Sequence, residues 1–325
     1  MRIRPQLVVA IGVAFTALSA IFVRLSDAPA LAIASYRMVF TSLLLAPLYL
    51  RERARTRTVS GHDEALEAPV GADPSGRQDR RRAAPPKRLA IALSVLSGAF
   101  LALHFALWIS SLAYTSVASS TVLVTTHPLI VGLVGYLLLG EHLSPKGVAL
   151  MLVALGGGVV LVWGGLGEGE SVLFGNVLAF LGAVTVGGYM LLGRVVRRTL
   201  SVNRYTMIVY STSAIVLVVT ALVARVPLYP YPPRELAIFL GLAVFCTLLG
   251  HSLFNWALKY LKPTVISTSI LGEPVIASVL AVLLFGEMPT LSTLLGGLII
   301  LTAIYLFVRV EATEARIAAQ QADPM

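Results

Sequence analysis

Arg37, His104, His127, His251, Asn255 and Glu273 all fall inside runs of residues that are otherwise apolar. Their types suit one kind of work. A carboxylate and several imidazoles can exchange protons near neutrality. An arginine can hold a carboxylate in its planar fork, and an asparagine offers both a donor and an acceptor. Spacing groups these residues further. Phe100, His104 and Trp108 recur at i, i+4 and i+8, which is one face of a helix. His251 and Asn255 are one turn apart, with Trp256 beside them. His127 and Glu273 each precede a proline, Pro128 and Pro274, and a proline removes one helix hydrogen bond.

Other chemistries are absent from the pattern. There is no Gly-x4-Gly-Lys-Ser/Thr loop, no His-Glu-x-x-His, no Gly-x-Ser-x-Gly and no EF-hand loop. The carboxylates are too scattered for a two-metal site. The single cysteine, Cys246, permits neither an internal disulfide nor a cysteine-based zinc cluster. The expectation is therefore a protein with no cofactor and no metal.

The elements that must position the polar set are membrane helices. The 325 residues are 57% hydrophobic and 13% charged, with mean hydropathy +0.85. Soluble domains run to about 45–50% apolar and about 25% charged. A helix crosses a bilayer with about 20 mostly apolar residues. Ten stretches qualify: Leu7–Val23, Leu31–Leu50, Leu89–Ser110, Val117–Leu139, Gly147–Trp163, Val172–Leu192, Tyr205–Val223, Leu236–Leu258, Thr264–Phe285 and Leu291–Val308. Arg2 and Arg4 before the first run resemble a signal peptide, but no small-residue cleavage site follows, so the run reads as an uncleaved first helix. Residues 51–88 hold 16 of the 41 charged side chains and no apolar periodicity, so they read as a mobile cytoplasmic loop.

Lys and Arg gather in loops on the cytoplasmic side. With the N-terminus inside, 21 of the 25 fall inside and only Arg24, Arg225 and Arg234 outside, Arg37 lying within a span. The bias holds to the last loop, which supports ten spans with both termini in the cytoplasm. It also accounts for the net charge of +9, so no nucleic-acid partner is called for. The expected surroundings are the lipid bilayer of the cell membrane.

The chain also matches itself. A shift of 146 residues places Tyr114 on Tyr260, Pro128 on Pro274, Ile130 on Ile276 and Gly140-Glu141 on Gly286-Glu287. Five spans separate the matched segments, an odd number, so the two halves run through the membrane in opposite senses. The fold class read from this is an all-α polytopic membrane protein, with ten helices as two inverted five-helix repeats. The expected division is 1–165, 166–310 and a cytoplasmic tail at 311–325. Inverted repeats with matching Pro-interrupted spans are a layout of secondary transporters, whose site lies between the repeats near mid-membrane.

Ser35-Tyr36-Arg37, Ala113-Tyr114, Pro128…Gly140-Glu141, Glu273-Pro274…Gly286-Glu287, Gly156-Gly157-Gly158 and Gly296-Gly297 together carry a resemblance that covers nearly the whole chain. The chain resembles the drug/metabolite transporter superfamily, in its EamA-type branch. The resemblance implies movement, mostly export, of small metabolites such as amino acids. The 51–88 loop departs from that family's compact pattern, and His127 stands where the second half has Glu273, so the halves differ chemically.

On this reading Glu273, His127, Arg37, Trp108, His104, His251, Asn255 and Trp256 are the candidates for substrate pathway or coupling, with Pro128 and Pro274 as kinks. A small molecule is the expected partner and a proton the candidate coupling ion. Each residue also has a plain structural reading. Glu273 can cap a broken helix or pair with Arg37, the histidines can be satisfied interior groups, and the tryptophans can anchor at the interface. Arg24 reads as the partner of Asp27, and the Gly-Glu pairs as helix ends whose carboxylates cap the next helix. The competing function is a membrane-embedded enzyme acting on lipid or prenyl substrates, which needs polar groups clustered at one membrane surface rather than at mid-depth.

Overall fold

The computed structural model describes residues 5–59, 84–139, 144–165, 170–257 and 269–321. Over these residues the chain is helical with short connections. The helices are α1 (Pro5–Leu25), α2 (Ala30–Val59), α3 (Lys87–Ser111), α4 (Val117–Val124), α5 (His127–Leu139), α6 (Pro145–Gly165), α7 (Glu170–Val196), α8 (Val202–Val223) and α9 (Pro233–Gly241). A π-helix follows (Leu242–His251), then α10 (Ser252–Ala257), α11 (Gly272–Phe285) and α12 (Leu291–Gln321). Among the described residues, eight helical stretches are long and apolar enough to cross a membrane, and Pro145–Leu161 and Gly272–Phe285 are shorter apolar helices. Each of the ten sequence stretches thus has its helix. The protein is an all-α, multi-pass membrane protein.

Helices dominate because lipid supplies no hydrogen-bonding partner for the backbone, so each crossing must satisfy its own N–H and C=O groups. Their ends are set locally. The Ser116 hydroxyl accepts from the Ser119 N–H at the start of α4, and the Ser201 hydroxyl accepts from the Arg204 N–H at the start of α8. Gly286 ends α11 at φ +66°, a left-handed turn that glycine enters without a Cβ clash.

Two crossings are broken, and they are the two that match in sequence. The fourth is interrupted at Thr125 and Thr126, between α4 and α5. The ninth has a turn at Leu271, just before α11. Pro128 and Pro274 therefore sit in the first turn of a half-helix, where the missing N–H leaves no bond unmade. They start helices rather than bend continuous ones.

Packing exchanges the first helix of each repeat. α1 lies chiefly against the π-helix, α10 and α11, while α7 lies chiefly against α3, α4 and α5. α6 pairs with α12, and α8 packs across α2 and α3. Leu43, Leu152, Leu283 and Leu298 remain exposed on the outside of the bundle, the distribution expected of a lipid-facing surface.

One expectation needs correction. Residues 51–59 of the expected loop continue α2 as helix, because Ser201 and Asn203 both donate to the Glu52 carboxylate. On the far side Thr199 donates to the Pro85 carbonyl at 2.8 Å. Residues 60–83 lie outside the described residues. The segment expected as a tail, 311–325, begins as a continuation of α12, helical as far as Gln321.

Along the α6–α12 contact, Gly157 and Gly296 are the described glycines that let the two backbones close. A Cβ on Gly296 would lie 2.6 Å from the Leu161 backbone nitrogen, and one on Gly157 would lie 2.8 Å from Ile299. Gly156 and Gly158 face open space. Gly296→Ala is therefore expected to push α6 and α12 apart at a cost of about 1–3 kcal/mol. Gly158→Ala gains up to about 1 kcal/mol of helix propensity. Thermal unfolding in detergent should show the first variant melting lower than the parent and the second no lower.

Candidate functional site

α1, α2, α3, the α4–α5 break, the π-helix and α11 converge on one cavity. It encloses about 590 Å³ not filled by atoms, counting the part open to solvent. Arg37, His104, Trp108, His127, His251 and Glu273 all line it. Six of the eight sequence-derived candidates thus come together, although they arise on separate crossings.

Arg37 is almost fully buried at 1% exposure. Its Nε–H donates to the Thr247 hydroxyl at 2.9 Å and its Nη1 to the Ser19 hydroxyl at 2.8 Å. Its guanidinium carbon lies 4.1 Å from the centroid of the Phe105 ring. Thr247 can accept this bond because its own hydrogen goes to the Leu242 carbonyl, five residues back along the π-helix. One arginine of α2 thereby ties together α1, α3 and the π-helix. Among the described residues its Nη2 makes no hydrogen bond, and Arg37 forms no ion pair with Glu273. The reading of Glu273 as a standing partner of Arg37 is set aside on that geometry.

On α3, the His104 Nδ1–H donates to the Gly182 carbonyl at 2.9 Å. The His104 ring is parallel to that of Trp108, with centroids 6.2 Å apart. A Cβ at Gly182 would come within 3.3 Å of Trp108 Cβ, so the glycine lets α7 close onto this face. Phe100 does not join them at the cavity: its ring fills the space over Gly188 of α7. His251 makes edge contacts with Phe105 and Phe254. Trp256 is not a lining residue and packs instead against the cluster of Val9, Val13 and Phe254. The Asn255 side chain lies outside the described residues.

His127 and Glu273 hold matching positions in the first turns of α5 and α11. Helix N-termini carry partial positive charge. Glu273 brings a carboxyl group to one of these ends, beside Thr16 of α1. His127 brings a ring whose Nδ1–H donates to the Val124 carbonyl at 3.2 Å. Its Nε2 and the Trp108 Nε1 are both buried without a protein partner.

The sequence reading missed Thr16, Ser19, Phe105, Thr125 and Thr247, all of which line the cavity or hold Arg37. Thr16 and Ser19 lie at i and i+3 on one face of α1, and that spacing was the available signal.

A second polar site lies at the opposite ends of α1, α4 and α11. Arg24 pairs with Glu287 at 3.1 Å, not with Asp27, which pairs with Arg234 at 2.9 Å. The other Glu287 oxygen accepts the Val117 N–H at 2.6 Å. Glu287 thus caps α4 of the other repeat rather than α12, because the αL turn at Gly286 aims it back across the bundle. Close by, Ser26 and the Asp27 N–H both donate to Glu235. Tyr114 is half-exposed and meets Phe174 edge-on, as an interfacial anchor would. Gly140-Glu141 and Tyr260 lie outside the described residues.

Comparison with known proteins agrees with this layout. The family model described as "EamA-like transporter family" matches twice, over residues 4–163 and 173–309. A protein named "Uncharacterized transporter" from Archaeoglobus fulgidus is 25% identical over 218 residues, covering 66% of this chain and 74% of its own. A crystal structure of a protein that is 16% identical superposes with TM-score 0.56, covering 94% of this chain and 97% of that one, which shows a shared fold.

The Arg37 tie has a measurable weight. Hydrogen bonds to a charged group are worth about 1.5–3 kcal/mol. Thr247→Val, which removes the acceptor of the Arg37 Nε–H but keeps the shape, should lower stability by about that amount. Thermal unfolding in detergent measures this. An unaltered melting temperature would mean that the π-helix does not lean on Arg37.

Proposed function

The chain belongs to the EamA-like transporter family, and we propose that it exports small metabolites such as amino acids by alternating access of its two inverted repeats. The observation that carries this reading is the cavity itself. It gathers one guanidinium, one carboxylate and three imidazoles between the repeats, at the breaks of the two matched crossings. Broken helices that present their N-termini to a mid-membrane site are how inverted-repeat transporters hold ligands. A small zwitterion suits the lining. Its carboxylate faces the open Nη2 of Arg37 and its ammonium faces Glu273, while Val186, Met190 and Phe254 cover its apolar part.

The proposed repeats are 1–165 and 166–310. The proposed setting is the cell membrane with both termini inside, on the strength of the Lys and Arg bias. Glu287 with Arg24 and Val117 then sits at the outer end, joining α11 to α1 and α4 as a closed outer gate. Glu273 is the leading proton carrier, with His127 as its counterpart in the other repeat. The polar groups lie at mid-depth rather than at one surface, which favours transport over chemistry on lipid or prenyl substrates.

The purified protein in proteoliposomes should catalyse saturable flux of members of a metabolite panel with no other protein present. If it moves nothing and instead modifies a lipid, the transport reading fails. Glu273→Gln should keep insertion but flatten the pH dependence of flux. The same profile in parent and variant would remove Glu273 as the proton carrier.

A further inference from the structure

Two buried polar atoms in the cavity have no protein partner, Trp108 Nε1 and His127 Nε2. Their residues are only 4% and 7% exposed. Leaving a buried polar atom unmade costs about 1–3 kcal/mol, so two on one wall call for an occupant.

The hydrogen-bond character of each atom follows from its surroundings. An indole nitrogen is a donor only. The Nδ1 of His127 faces the Val124 carbonyl, which can only accept, so the proton sits on Nδ1. His127 has no carboxylate in ion-pair contact among the described residues, and a buried ring without one carries a single proton. Its Nε2 is then a bare lone pair. The wall formed by α3 and the α4–α5 break, where Trp108 and Val124 both face Gly182, therefore presents one donor and one acceptor. His104, on the same wall, is oriented by its bond to the Gly182 carbonyl, and it braces the Trp108 ring by stacking.

We propose that this wall is a subsite for an uncharged group that both accepts and donates a hydrogen bond, a carboxamide or a hydroxyl. The group's oxygen accepts from Trp108 Nε1–H, and its N–H or O–H donates to His127 Nε2. A carboxylate offers acceptors only and would set its charge against the His127 lone pair. A methyl group would leave both atoms unmade. Sites built to bond such a group reject analogues that lack it far more strongly than they reject a change of one methylene. The inference rests on the transport reading and sharpens it. The favoured cargo is a small polar molecule whose charged ends meet Arg37 and Glu273 and whose neutral polar group meets Trp108 and His127.

The test reads Trp108 directly. The protein has three tryptophans, so 15N-labelled indole groups give three Nε1–H signals in detergent, and Trp108→Phe assigns one of them. Propionamide is titrated against propionate at neutral pH. The expected result is a saturable shift of the Trp108 signal with propionamide, at least about tenfold weaker with propionate, a difference of about 1.4 kcal/mol. His127→Leu should keep the Trp108 signal in place and abolish the propionamide response. Propionate acting as well as propionamide, no response to either, or an undiminished response in the His127→Leu protein each overturns the subsite. These outcomes are separate from the transport reading, which stands or falls on flux in proteoliposomes.

Discussion

The structure depends on how it houses the guanidinium of Arg37. A cation at membrane depth is costly, at about 2.5–3.5 kcal/mol on insertion scales and more for an isolated helix. Here the charge is covered by two hydroxyls and one aromatic face: Ser19 from α1, Thr247 from the π-helix and Phe105 from α3. None of these partners is an anion, so the charge is solvated but not cancelled. That arrangement forces four elements to meet at one depth, and the cavity is the space left where they meet. The π-helix belongs to the same solution. Its wider turn lets Thr247 donate to Leu242 and still accept from Arg37.

Against this fixed cation the two repeats place different groups at equivalent points. The half-helix α11 opens with a carboxyl group, whereas α5 opens with an imidazole whose buried Nε2 has no protein partner. A symmetric pair of carboxylates would have cancelled Arg37 and added like-charge repulsion. Instead the cavity lining sets a guanidinium, a carboxyl group and an imidazole at three different points. Under the proposed function such a lining orients a small polar molecule rather than merely enclosing it.

Much of this was legible in the residues. The ten apolar stretches found their helices, and Tyr114, Pro128 and Ile130 with their mates marked the two broken crossings. The His104–Trp108 face was visible as a spacing. What stayed hidden arose from contacts between distant segments. Nothing local distinguishes Ser19 or Thr247 from other small hydroxyls in apolar helices. Phe100 shares a face with His104 but sits one turn off, over Gly188. Asp27 is three residues from Arg24, yet Arg24 reaches Glu287, because α1 packs against the second repeat. The helical continuation beyond Leu50 depends on Ser201 and Asn203, about 150 residues away, gripping Glu52.

The same exchange of first helices underlies the alternating access proposed above. α1 travels with the second repeat but ends at Arg24, and α4 of the first repeat begins at Val117; Glu287 holds both. Glu287 shares this end with the Ser119–Thr293 and Asp27–Arg234 contacts, and under the proposed function its release is the first step in parting the two repeats there, while the α6–α12 contact at Gly296 stays closed. The most direct measurement is the distance between spin labels at Ala113 and Met288, flanking Glu287, in a Cys246→Ser background. Two distance populations are expected, with the longer one enlarged in Glu287→Gln. A single distance that does not change with this substitution would contradict the account.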